Sequence, residues 1–293
     1  MSRVEPIAVT ASAPVKAIAL MVAGAAFLTA NDAVIKWLAG GYPIGEIMFF
    51  RGLFVLPALM LLSWRVGGAF SLRVTNWRGQ IMRAGLAIAG SFLFFLALKN
   101  MPLADAVAVE FAGPLILTAL AAPLLAERVG WRRWLAVAVG FAGVLVMLRP
   151  GGDALRWVVV LPLGAAFLGA LKDILTRRLA ATETSAAMLA ITTLGVTLAG
   201  LATLPFGWRW PDAGSMALFV GTGVLHGIAG YLLTETFRHA EAATVSPFRY
   251  TAMVWAVLLG LIIWGDVPDA WMITGAAIIA ASGIYVLHRE TRA

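Results

Sequence analysis

Glu110 and Arg249 are the residues of this sequence best placed to do chemistry, because each lies well inside a long apolar run. An ionisable group in such a run is costly to bury and is usually kept for a function. The two residues are 139 positions apart, a spacing that also relates other parts of the sequence. A carboxylate and a guanidinium at matching positions can hold the ammonium and the carboxylate of one zwitterionic molecule. The alternatives are a structural salt bridge, or separate pairs with Lys99 and Glu235.

A proline stands close to each of these charges. Pro114 follows Glu110, and Pro247 precedes Arg249 in the segment Ser246–Tyr250. Proline removes a backbone donor and clashes with the preceding turn, which frees carbonyl groups beside a cavity or permits a bend. The sequence therefore predicts a helix break at both places. The side chains expected to line the same site are Phe92, Phe95, Tyr231, Tyr250 and Trp255, with His226 as a further central group that can titrate.

Further charges are embedded in the apolar runs and are expected to form ion pairs. The expected pairs are Asp32 with Lys36, Glu46 with Arg51, and Lys172 with Asp173. We interpret them first as internal pairs that also gate a passage, and we keep Asp32 and Lys172 as candidate site residues.

Helices that cross a membrane must position these residues. The chain is 61% hydrophobic and 13% charged, with a mean hydropathy of +0.90, and a soluble chain of this length cannot bury so much apolar surface. A span needs roughly 20 apolar residues. Ten such runs occur, at about 16–38, 43–64, 80–99, 102–124, 131–149, 155–178, 185–205, 214–237, 242–264 and 270–288.

The same apolar unit occurs twice. Residues 32–39 reappear as residues 173–180, and Trp131, Gly143 and Arg149 recur as Trp271, Gly283 and Arg289. With five spans in each copy, the second copy enters the membrane from the opposite side. Inverted repeats of this kind build two alternately open faces around one central site. We therefore predict an all-α membrane protein of ten transmembrane helices in two inverted five-helix repeats, residues 1–150 and 151–293.

The charge distribution gives the orientation. The net charge is +7, which in a soluble protein suggests nucleic acid, but here the basic residues cluster in alternate loops. With the N-terminus in the cytoplasm, 14 basic residues fall at the inner side and 5 at the outer side. The positive-inside rule then places both termini in the cytoplasm. We expect a bacterial inner-membrane protein with no nucleic-acid partner.

Several kinds of chemistry have no residues to support them. The chain has no cysteine and only three scattered histidines, and it lacks H-E-x-x-H, G-x-S-x-G and Walker A patterns. The sequence therefore disfavours a metal site, an intramembrane hydrolase and transport driven directly by nucleotide hydrolysis. We expect no enzyme activity, no metal and no cofactor. The expected partners are a small-molecule substrate and the lipid bilayer, and we expect a monomer.

Two stretches resemble a known unit. Residues 103–109 followed by Pro114, Glu127 and the helix with Gly140 and Gly143 resemble the EamA unit of the drug/metabolite transporter superfamily. Residues 243–247, Asp266 and Gly283 resemble its second copy more weakly. The resemblance covers nearly the whole chain and is strongest to the bacterial YddG-type amino-acid exporters. It implies ten helices around a central cavity and outward movement of amino acids. One departure is Gly265-Asp266, where many members have glutamate.

These observations predict a secondary transporter that exports small metabolites, first of all aromatic or neutral amino acids, by alternating access. Glu110 and Arg249 would recognise the charged ends of the solute. The rival interpretations are an importer of a nucleotide-like metabolite, a multidrug exporter, and a non-transporting membrane assembly or lipid-binding protein. Transport direction, substrate and proton coupling stay open at this point.

Overall fold

The computed structural model describes residues 13–67, 73–125, 130–148, 157–239 and 245–290. Within these ranges the chain is helical, with no strand. Glu127 and Arg149, which the sequence comparison used, lie outside them. The membrane explains this architecture, because a helix satisfies all of its own backbone hydrogen bonds where no water is present.

A helix lies in each of the ten predicted apolar runs. The first half contains α1 (Ala13–Ala39), α2 (Ile44–Gly67), α3 (Trp77–Asn100), α4 (Leu103–Glu110), α5 (Gly113–Leu125) and α6 (Trp131–Leu148). In the second half, a 3-10 turn at Trp157–Val159 precedes α7 (Val160–Leu179), α8 (Ser185–Leu201) and α9 (Ala213–His239). The chain then forms a 3-10 segment (Ser246–Tyr250), α10 (Thr251–Trp264) and α11 (Ala270–Glu290).

Local sequence sets several of the helix ends. The Asn76 side chain accepts a hydrogen bond of 2.9 Å from the backbone N–H of Gly79 at the start of α3. Thr184 caps α8 in the same way, at 3.1 Å from the N–H of Ala187. Such caps satisfy backbone donors that have no partner within the helix. Gly265 ends α10 with a φ of +70°, a conformation that costs glycine little.

Among the described residues, six segments are long and apolar enough to cross a membrane. They are Val15–Ala39, Trp77–Asn100, Leu103–Ala121, Trp157–Leu179, Ala213–Thr236 and Pro247–Trp264. The shorter apolar helices Trp134–Met147, Ser185–Leu201 and Ala270–Tyr285 pack among them. The chain is therefore a helical, multi-pass membrane protein.

The helices pack in matching pairs. α1 packs along α9 and against α10, and α7 packs along α3 and against α5. α2 packs with α8, and α6 packs with α11. Glycines allow the close approach in the last two pairs: a Cβ atom on Gly200 would lie 2.6 Å from the carbonyl oxygen of Gly45, and one on Gly275 would lie 2.7 Å from that of Gly143. Small residues are the usual means of bringing helix backbones together in lipid.

Glu183 ties the connection between α7 and α8 to the start of α3. Its carboxylate accepts hydrogen bonds from the hydroxyl of Thr75, the backbone N–H of Thr75 at 2.8 Å, that of Asn76 at 2.6 Å and the amide of Gln80 at 3.0 Å. The hydrogen bond from the Thr75 hydroxyl, with those from Gln80 and the backbone, lowers the pKa of Glu183 to about 2. The ionised carboxylate therefore stabilises this junction at neutral pH.

Candidate functional site

Two adjoining chambers form a cavity at the centre of the helices. The larger one, which we call the Arg249 chamber, has a volume of about 390 Å³. The smaller one, the Arg51 chamber, has a volume of about 210 Å³. The wall common to both chambers is formed by Leu28, Asp32, Glu110, Ala165, Gly169 and Lys172.

Glu110 projects into this cavity because the span that carries it is broken. Residues 103–109 of α4 are all buried, whereas Glu110, the last residue of the helix, is exposed inside the cavity. The backbone N–H of Ala112 donates to the carbonyl oxygen of Val109, three residues back, instead of to the carbonyl four residues back as in a regular α-helix. Pro114 has no N–H to donate. The predicted break therefore occurs, and it places a carboxylate on the cavity wall.

A second break lies opposite the first. The segment Ser246–Tyr250 is a 3-10 turn that contains Pro247, and the exposed side chain of Arg249 lines the Arg249 chamber. Tyr250, the next residue, stacks on Phe111, with ring centroids 4.7 Å apart and an interplanar angle of 30°. The aromatic residue that follows each charge thus contacts its counterpart from the other break.

Glu110 and Arg249, the two candidate residues for the charged ends of a solute, line the same chamber. The charges that act on Glu110 are those of Arg249, Lys172 and Arg51. The proposed alternative partner Glu235 instead lies 3.4 Å from His239. Glu110 and Arg249 are therefore available to the same bound molecule.

Asp32 and Lys172 both lie on the wall common to the two chambers. Lys172 forms the expected ion pair with Asp173, at 3.3 Å. The expected pair of Asp32 with Lys36 is wrong. Lys36 donates to the carbonyl oxygens of Leu98 at 3.2 Å and Met101 at 2.7 Å, and Asp32 accepts a hydrogen bond of 3.1 Å from Asn31.

Arg51 lines the cavity, although the candidate site residues chosen from the sequence did not include it. The expected pair with Glu46 is wrong, because Glu46 accepts from the backbone N–H of Arg209 at 3.1 Å. Arg51 lines the smaller chamber, and its Nη2 lies 2.9 Å from Nδ1 of His226. Its guanidinium carbon is 5.3 Å from the ring centroid of Phe95. The sequence did indicate Arg51 as a candidate, because Arg51 lies as far inside its apolar run as Glu110 does inside its own.

The predicted aromatic lining is only partly present. Phe95 and Tyr250 line the cavity. Phe92 is 43% exposed and lines a shallow apolar groove on the outside of α3, and Tyr231 is 56% exposed. Trp255 packs half-buried against the hydrophobic core. Pro114 borders the Arg249 chamber, while Pro247 shapes the 3-10 turn without lining either chamber.

The cavity walls carry charges of both signs. The acidic side chains are Asp32, Glu110 and Asp173, and the basic ones are Arg51, Lys172, Arg177 and Arg249. Within the described ranges, no group of three or more acidic or histidine side chains is placed to hold a metal ion. The arrangement is suited to holding a polar molecule that carries a ring and charged groups.

Comparison with known proteins gives consistent matches along the chain. The sequence profile of the EamA-like transporter family matches residues 15–149 and again residues 156–288. A riboflavin transporter of Rhizobium johnstonii is 31% identical over 96% of this chain and 93% of that protein. An S-adenosylmethionine uptake transporter of Rickettsia conorii is 27% identical over 90% of each chain. The pseudopaline exporter CntI of Pseudomonas aeruginosa is 25% identical over 86% of this chain and 89% of that protein.

Proposed function

Because this chain belongs to the EamA-like transporter family, we propose that it is a secondary transporter whose central cavity carries a ring-containing metabolite with charged or polar groups. The family and the matched relatives are transporters rather than enzymes. The observation that carries the proposal is the meeting of the two helix breaks, with Glu110 and Arg249 in one chamber beside the stack of Phe111 on Tyr250.

The size and chemistry of the Arg249 chamber favour a substrate larger than a small amino acid. Its volume of about 390 Å³ lies in the range of about 300–1,000 Å³ that is typical of sites for drug-sized ligands. The stacked rings offer a flat apolar surface, and the two charges offer polar contacts at its edge. Riboflavin, the solute named for a relative 31% identical to this chain, is therefore the first solute to test.

Export of amino acids is the second candidate. Glu110 and Arg249 match the ammonium and carboxylate of an amino acid, and Phe95 and Tyr250 suit an aromatic or neutral side chain. The matched relatives include an S-adenosylmethionine uptake transporter and a pseudopaline exporter, so both directions are represented among them.

Two observations support inverted repeats and alternating access. The family profile matches twice, with a junction close to the proposed division of the chain at residues 150 and 151. If each of the first five apolar runs is matched in order with its counterpart among the last five, the first run corresponds to the sixth, and so on. Under this correspondence, the contacts of α1 with α9 and α10 match those of α7 with α3 and α5. The α2–α8 and α6–α11 pairs are unchanged by the same correspondence. We propose ten spans in the inner membrane, and the distribution of basic residues along the sequence favours both termini in the cytoplasm.

Flux through the purified protein tests the proposal. The chain is reconstituted in liposomes, and uptake of labelled riboflavin and of labelled phenylalanine is measured with and without a pH gradient. We expect saturable riboflavin flux that is lost in Arg249→Ala and absent from protein-free liposomes. Flux of phenylalanine without riboflavin would select the second candidate. Absence of flux for every solute tested would favour the non-transporting membrane proteins.

A further inference from the structure

We infer that Arg51 determines substrate specificity by binding a carboxylate or phosphate of the solute in the Arg51 chamber. This inference rests on the proposed function and names the chemical group that the smaller chamber recognises. Glu110 and Arg249 line the larger chamber, and the inference concerns a different side chain, Arg51.

The guanidinium of Arg51 is held by neutral partners. Nη2 lies 2.9 Å from Nδ1 and 3.3 Å from Nε2 of His226. A guanidinium can only donate hydrogen bonds and a neutral imidazole has one acceptor nitrogen, so at most one of the two contacts is a hydrogen bond; the shorter one, to Nδ1, requires the tautomer with its proton on Nε2. The ring of Phe95 also contacts the group, 5.3 Å from the guanidinium carbon. Among the described residues, Arg51 is therefore held without a hydrogen bond to a carboxylate.

Most of the hydrogen-bonding capacity of Arg51 remains available. A guanidinium carries five N–H donors in a planar fork, and in the described part of the chain its hydrogen bonds use Nη2 alone. The side chain lines the Arg51 chamber together with Gly90 and Ser91 of α3. This fork fits the two oxygens of a carboxylate or phosphate.

The surrounding charges stabilise Arg51 without occupying its donors. Asp32 and Glu110 both attract it electrostatically, yet its hydrogen bonds go to His226. Lys172 adds a second positive charge to the same wall. An anionic group entering the chamber would thus meet Arg51 and Lys172 on a wall that also carries the carboxylates of Asp32 and Glu110. Its binding would depend on the donors of Arg51 that have no partner among the described residues, while the rest of the solute extends past Glu110 toward the stacked rings.

His226 acts as a positioning residue. Its Nδ1 lies 2.9 Å from Nη2 and holds the guanidinium where Arg51 lines the chamber. Replacing it with phenylalanine removes the acceptor, whereas glutamine retains an acceptor oxygen. Anion preference should therefore fall in His226→Phe and be largely kept in His226→Gln.

The test compares two solutes that differ by one anionic group, riboflavin 5′-phosphate and riboflavin. Flux into proteoliposomes gives kcat/KM for each, and ligand-induced thermal stabilisation of the purified protein gives binding without transport. In the unaltered chain we expect the phosphate to be preferred. In Arg51→Gln we expect the ratio of the two kcat/KM values to fall roughly ten- to hundredfold, as for loss of a charged hydrogen bond. The matched control, Arg78→Gln, changes an exposed arginine at the start of α3 and should leave the ratio unchanged.

The outcomes separate this inference from the proposed function. Arg51→Lys keeps the charge without the fork and should give an intermediate ratio. If Arg51→Gln weakens both solutes equally, its role is structural and the inference is overturned. Equal handling of both solutes by the unaltered chain would also overturn it. Absence of flux and of binding for both riboflavin solutes and for phenylalanine would instead count against the proposed function.

Discussion

The carboxylate of Glu183 should stabilise the protein measurably, and replacing it with glutamine removes its charge while keeping its shape. An ordinary glutamate pKa of 4.5 against about 2 here corresponds to about 3 kcal/mol, at about 1.4 kcal/mol per pH unit. Solvent near the connection between α7 and α8 screens part of this interaction. We therefore expect Glu183→Gln to lower the free energy of unfolding by about 1–3 kcal/mol at pH 7.

The direction of the pKa shift determines how the stabilisation by Glu183 depends on pH. Because folding lowers the pKa of Glu183, its stabilisation is complete above the unfolded value of 4.5 and is lost as the pH falls toward about 2. Roughly half of the contribution should already be gone at pH 3. The difference in stability between the variant and the unaltered chain should shrink accordingly.

Thermal unfolding of the detergent-purified protein measures the effect. At about 2–4 °C per kcal/mol, Glu183→Gln should lower Tm by about 2–12 °C at pH 7. Asp212→Asn is the matched control, since Asp212 accepts from the N–H of Ser215 at the start of α9 and asparagine caps helices about as well as aspartate. An unchanged Tm in Glu183→Gln, or a difference that is equal at pH 7 and pH 3, would refute the reasoning.

Three further predictions concern the cavity and the helix contacts. Glu110→Gln removes the charge at the helix break with little change in shape, so transport should fall at least about tenfold while the amount of folded protein in the membrane is unchanged. Gly283→Ala would place its methyl group against the hydroxyl of Tyr250, which is buried and has no hydrogen-bond partner in the described part of the chain. The substitution should therefore lower Tm, and adding Tyr250→Phe should restore part of the loss in a double-mutant cycle. Gly275→Ala should cost about 1–3 kcal/mol because its Cβ would lie 2.7 Å from a backbone oxygen of α6, whereas Gly221→Ala, with no atom nearby, should show no comparable loss.

The helix breaks were predictable because their causes are local. Proline acts on the turn that precedes it, so Pro114 and Pro247 reveal the interruptions from sequence alone. The charge pairs were not predictable in this way. Lys36 binds carbonyls 62 and 65 positions away, and Arg51 binds a histidine 175 positions away. Spacing along one helix says nothing about such partners from another helix.

The sequence also could not show which aromatic side chains face the cavity and which face the lipid. Phe92 and Phe95 lie in the same helix, yet Phe95 lines the cavity and Phe92 faces outward. In a soluble helix, polar residues mark the outer face. Here the outer solvent is lipid and is as apolar as the interior, so hydrophobic periodicity gives no contrast between the two positions.

The stack of Phe111 on Tyr250 has a mechanical consequence. Each ring follows a charged residue at a point where its span lacks regular helical bonding, which makes these the places where the spans can flex most easily. With the ring centroids 4.7 Å apart, one segment cannot shift far without displacing the other. The separation of Glu110 and Arg249 is thereby constrained for as long as the stack persists, and such a stack contributes about 0.5–1.5 kcal/mol. If both charges bind the solute, as proposed, they would move together with it while the rings stay in contact.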